Sequence, residues 1–166
     1  MSEYLVLGIA IAKIYVLLRP SKYLSTKTMA QTIPFDPNQG RLHVNIEAHG
    51  LVIVSYTLRL WGARANEDKI VLHEIGNNKQ PHDDIFWLKD SSKEDEPVEQ
   101  NDDRFVELIC TVHTDRDAVP YRIVMEFSQG DDIEEQTTIG EVTYEHTIDL
   151  NDGGHHPTLS ALLRLA

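Results

Sequence analysis

From residue 41 onward, apolar and polar residues alternate in short runs. Period-two alternation predicts strands with one face buried and one face wet. Leu42, Val44, Ile46 and Ala48 alternate with His43, Asn45, Glu47 and His49 until Gly50 interrupts the run. Val52, Val54, Tyr56, Leu58 and Leu60 then form a second apolar face, opposite Ser55, Thr57 and Arg59, with Trp61 near the end. Two such runs meeting at His49-Gly50 predict a tight hairpin. Ile70 to Ile75 reads as a short strand, and Ile85-Phe86-Trp87-Leu88 as a brief strand or core plug. The alternation resumes with Val106, Leu108, Cys110 and Val112, then Tyr121, Ile123, Met125 and Phe127, and last Val142, Tyr144, His146, Ile148 and Leu150. Thr158 is a candidate N-cap for a short C-terminal helix with Leu159, Leu162 and Leu163 on its apolar face, and a terminal strand is the alternative.

Five or more alternating strands, with turns every eight to twelve residues or so, predict an all-β fold. The expected architecture is an antiparallel β-sandwich of jelly-roll, C2-like or Ig-like type, with that candidate helix at its end. The paired cysteines of an Ig domain are missing, because Cys110 is the only cysteine. The 166 residues suit a single domain with a real core.

Two segments break the pattern. Residues 19–40 read as a long connection, with a turn cluster at Pro34 to Gly40 and with Tyr23, Met29, Ile33 and Phe35 available to pin it to the body. Residues 89–104 contain one large apolar residue, Val98, among acidic and polar neighbours. So little apolar surface predicts a protruding, mobile loop. Ahead of both, Tyr4 to Leu18 is almost continuously apolar, interrupted by Gly8 and Lys13. Its fifteen residues fall short of a spanning helix, which needs about 20. Its positive charges follow the apolar run rather than precede it, unlike a signal peptide. Val6, Ile9, Ile11, Ile14 and Val16 favour a buried strand there.

Charge narrows the partners. The net charge is −12, and it is unevenly placed. Residues 1–83 carry nine basic and seven acidic groups, and residues 84–166 carry six basic and twenty acidic groups. A chain this acidic lacks the basic patch that nucleic acid or an anionic membrane requires, so neither is expected as a partner. Its acidic half suits a basic protein. A lone cysteine excludes an intramolecular disulfide and fits a cytoplasmic or otherwise intracellular setting.

Candidate chemistry is sparse. His43, Glu47 and His49 share one strand face and are metal-ligating types. Residues at i and i+2 on a strand stand about 7 Å apart, so a second strand carrying His113 or Glu145 has to complete such a site. His155 and His156 follow two glycines and form a second metal candidate. Asp95, Glu96, Asp102 and Asp103 make one acidic cluster and Asp131 and Asp132 another, and Asp115 lies near Asp117. All carry oxygen ligands suited to calcium, but none has EF-hand spacing. No cofactor is implied beyond calcium or a transition metal. Trp61 and Trp87, with Phe86, are candidates for an aromatic binding platform. There is no Gly-x-Ser-x-Gly elbow and no glycine-rich phosphate loop, and Cys110 is expected in the core.

Three functions remain. The first is a non-catalytic interaction or assembly module, binding another protein or forming a homo-oligomer, with the apolar 4–18 strand pairing across chains. The second is an acidic inhibitor or immunity-type protein that fills a basic enzyme's cleft. The third is a metal-dependent binding protein or small enzyme.

Overall fold

The computed structural model describes residues 31–62, 69–78, 84–148 and 158–166. Nine strands are formed: β1 (Gln31–Ile33), β2 (Leu42–Gly50), β3 (Ile53–Trp61), β4 (Ile70–Asn77), β5 (Ile85–Trp87), β6 (Phe105–His113), β7 (Val119–Gln129), β8 (Thr137–Ile148) and β9 (Thr158–Leu165). They make a five-stranded sheet in the order β1-β9-β6-β3-β4 and a four-stranded sheet in the order β5-β2-β7-β8. All pairings are antiparallel except β1 with β9, which is parallel. The fold is an all-β sandwich, as the alternation predicts. Residues 4–18, Tyr23, Met29, His155 and His156 lie outside the described residues.

The period-two faces account for the core. Leu42, Val44 and Ile46 of β2 and Tyr121, Ile123, Met125 and Phe127 of β7 face inward from the smaller sheet. Val54, Tyr56, Leu58 and Leu60 of β3 and Val106, Leu108, Cys110 and Val112 of β6 meet them from the larger one. Burying these side chains removes apolar area from water at about 25 cal/mol per Å², which is the main drive for the two sheets to pack. Ile33 is buried in β1 and Phe35 packs against the core, so two of the four expected pins of the 19–40 connection hold its C-terminal end.

The structure corrects two expectations. β2 and β3 are not a hairpin, because they lie in different sheets. Each carries a full apolar face, and the two-residue link at Leu51 and Val52 turns those faces toward each other across the core instead of side by side. Gly50 makes the corner possible, with φ at +114° and so little room that a Cβ would lie 2.6 Å from the Pro120 carbonyl oxygen. The C-terminal segment is also a strand and not a helix. Leu159, Leu163 and Leu165 are buried and Ala161 is half-buried, while Ser160 and Arg164 are exposed. The same residues fit helical and strand spacing. The free edge of β6, which pairs with Thr158 through Arg164, decides for the strand.

Candidate functional site

The two edges of the four-stranded sheet differ, and they hold most of the residues of interest. At one edge the short β5 leads directly into residues 88–104. Leu88 is fully buried, and its N–H donates to the Leu42 carbonyl at 2.8 Å. The Ser91 N–H donates to the Val71 carbonyl at 2.8 Å, tying the segment to β4. Glu96 then turns inward. It accepts from Arg104 Nη1 at 2.6 Å, Arg104 Nη2 at 3.0 Å, Lys93 Nζ at 2.7 Å and the Asp90 N–H at 2.7 Å. Burial opposes the charge on Glu96, but these four donors outweigh it and hold its carboxyl at about 2. Asn101 joins the network, donating to the Leu88 carbonyl at 2.8 Å and accepting from Arg104 at 3.1 Å. The expected protruding loop is therefore tied down by polar contacts, which a count of apolar residues does not detect.

Trp87 sits beside this network. The Arg41 guanidinium lies 4.2 Å from the ring centroid and the Lys89 ammonium 4.6 Å. Lys89 also donates to the carbonyls of Lys93 and Glu94. A hollow of about 590 Å³ opens here, lined in part by Pro37, Arg41, Trp87, Pro97 and Asp131.

The other edge is β8, the longest strand of the fold, with 12 residues spanning about 40 Å. Among the described residues no strand pairs with its outer side. Val142, Tyr144 and His146 point toward the sandwich interior, level with Met125, Ile123 and Tyr121 of β7. Val142 and Tyr144 are half-buried and His146 is exposed, and Ile33 of β1 lies against Gly140. The rings of Tyr121, Tyr144 and His146 stand 6.1–6.2 Å apart. Beside them a hollow of about 490 Å³ is lined by residues including His49, Gly50, Tyr121, Arg122, Glu145 and His146. The Tyr121 ring lines that hollow, while its hydroxyl is buried in the core beside Tyr144 and Cys110.

The outward face of β8 is acidic. Glu141 stands directly opposite Glu126 of β7, a like-charge pair that costs free energy. Threonines soften it: Thr143 donates to Glu141 at 2.6 Å and Thr138 to Glu126 at 2.9 Å. Glu145 stands opposite Arg122, which in turn stands opposite His49.

The sequence-derived candidates scatter. His43 is buried, with Nδ1 3.2 Å from Gln136 Nε2, and burial lowers its pKa. Glu47 and His49 pair with each other at 3.1 Å. His113 lies in the other sheet, and β7 separates Glu145 from β2 by two strand spacings of about 4.8 Å each. Neither completes a site with His43, and the described residues contain no group of three His, Cys, Asp or Glu placed to hold a metal ion. Asp95 and Asp102 are exposed, while Asp103, at φ +63°, is ion-paired with Arg164. Asp131 accepts from the Arg41 N–H at 3.2 Å, and Asp132 accepts from the Glu134 N–H at 3.2 Å, capping a turn. Asp115 is exposed and lies 4.0 Å from Arg116.

The aromatic candidates are divided as well. Trp61 is on the five-stranded sheet, donating to Glu107 at 3.1 Å. Trp87 is on the four-stranded sheet, and Phe86 points inward, edge-on to Tyr56. They form no common platform. Cys110 is fully buried, and burial pushes its thiol up to about 12, too high for a nucleophile.

Sequence reasoning missed Arg41, Arg104, Asn101, Tyr121 and Arg122. It read the two faces of β8 correctly, but nothing in the alternation marks a strand as an edge.

The described residues thus form an all-β sandwich with one closed edge and one unpaired edge on its smaller sheet. No protein-family model, curated protein or solved structure matches the chain. Among the described residues no helix is long and apolar enough to cross a membrane.

Proposed function

We propose that this chain is a non-catalytic protein-interaction and assembly module that works by strand addition to β8. A single observation carries the reading: β8 offers a 12-residue edge with no proline and no lysine in it. Exposed edges of this kind present a row of unpaired N–H and C=O groups, and proteins ordinarily blunt them with prolines, lysines or short length. β8 keeps an unbroken register with β7 from Gly140 to Ile148, beyond one irregularity at Ile139, and an edge left this long is the element that an extended segment of another chain recognises.

Hydrogen exchange tests the reading. β8 is followed in the protein alone as its concentration rises, and again with added extended peptides that carry valine at alternate positions. Slowed exchange at alternate β8 amides, with β3 and β6 unchanged, is the expected result in at least one of the two series. Unchanged exchange at β8 in both overturns the proposal.

A further inference from the structure

Building on that strand-addition reading, we infer that the segment β8 accepts alternates basic and apolar residues. The inference follows from what each face of a newly added strand meets. Cross-strand partners share a face, so one set of its side chains lies beside Glu141, Thr143 and Glu145 and the other beside Val142, Tyr144 and His146. The first set borders an acidic row. Glu141 already faces Glu126 across the β7–β8 pair, and no ion pair joins either glutamate to a cation among the described residues. A lysine or arginine on the far side of Glu141 relieves a repulsion that the isolated chain carries. A second acidic strand enlarges it, so pairing that sets glutamate against glutamate is disfavoured. The second set meets the half-buried, inward-facing Val142 and Tyr144, so apolar side chains suit it. Toward the C-terminal end of β8 the same strand passes the hollow of about 490 Å³ lined in part by Glu145 and His146.

The test uses the full chain and three labelled peptides of about nine residues, an ordinary strand length. Each has valine at alternate positions, with lysine, serine or glutamate between. Fluorescence anisotropy is expected to rank affinity as lysine, then serine, then glutamate, with about tenfold or more between the extremes from two cross-strand charge contacts. The paired substitution Glu141→Lys and Glu145→Lys is expected to reverse that order. Because any acidic protein attracts a lysine peptide, Thr143→Pro and Tyr144→Pro are measured as well. Successive strand N–H groups point to opposite sides, so one of the two prolines removes an N–H on the outer side alone. That variant is expected to keep the wild-type fold and charge but lose the peptide. Equal affinity for the three peptides overturns the basic-partner inference and leaves the edge reading standing. Binding that neither proline weakens shows general charge attraction and overturns the inference. Binding of none of the peptides counts against both.

Discussion

The β5 and β8 edges of one sheet solve the same physical problem in different ways. Both are rows of backbone groups that need partners. β5 is three residues long, and the residues that follow it fold back to close the corner through Leu88, Ser91, Glu96 and Arg104. Trp87 is flanked there by two cations instead of lying bare. β8 is four times as long, is followed by no such closure among the described residues, and keeps exposed Glu141, Thr143 and Glu145 along its outer face. A short edge can be closed by the chain next to it in sequence. A long one needs another strand, and that difference separates a closed structural corner from the edge proposed for docking.

The largest effect belongs to the closed corner. The Glu96 and Arg104 side chains are 1% and 7% exposed, so removing Glu96 leaves Arg104 buried without its counterpart, and removing Arg104 leaves Glu96 with only the half-exposed Lys93 as countercharge. Glu96→Ala or Arg104→Ala is expected to cost about 3–5 kcal/mol in urea unfolding. Replacing both, as Glu96→Leu with Arg104→Met, is expected to cost much less than the sum, since no lone charge remains. Glu145→Gln on the open edge is expected to stay within about 0.5 kcal/mol. If Glu96→Ala were as mild as Glu145→Gln, the contrast between the edges would collapse.

The alternation made both sheets legible in the sequence, because a strand with one wet face writes its burial directly into residue order. Leu42, Val44, Ile46, Val106, Leu108, Cys110 and Val112 are buried on the faces their spacing assigns, although His43 on the polar face of β2 is buried too. Which strands are neighbours was not legible. Gly50 reads equally well as a hairpin tip and as a corner between sheets, and only the opposing face of β3 distinguishes them. The Glu96–Arg104 pair was hidden for a related reason. Apolar counting treats residues 89–104 as solvated, yet a carboxylate with four donors can be buried. The scatter of His43, Glu47 and His113 shows the limit of reading sites from one strand, since the second strand of a site is a matter of topology.

Acid should reveal the closed corner selectively. The folded Glu96 carboxyl titrates at about 2, below the ordinary glutamate value of about 4.3. A carboxyl lowered by folding adds stability that is present in full above the unfolded value and fades as pH falls through the folded one. The stability difference between wild type and Glu96→Gln is therefore expected to be largest above about pH 5 and to shrink toward pH 2. Denaturant unfolding at a series of pH values checks it. A difference that does not change with pH would mean that Glu96 acts by packing and not by charge.

The smallest effect tests the open end, and there the sign carries the argument. Tyr121 keeps a buried hydroxyl with no partner among the described residues, while Asn101 at the closed corner both donates and accepts. Leaving a polar group buried and unpaired costs more than replacing it with an apolar group of the same shape. Tyr121→Phe removes such a group with little change in volume, so it is expected to raise stability by up to about 1 kcal/mol. Asn101→Leu strands the Leu88 carbonyl and one Arg104 donor, and is expected to lower stability by about 1–3 kcal/mol. Urea midpoints at constant slope measure both. A loss of stability in Tyr121→Phe would mean that its hydroxyl is already satisfied within the free chain, with Tyr144 the neighbour placed to do so.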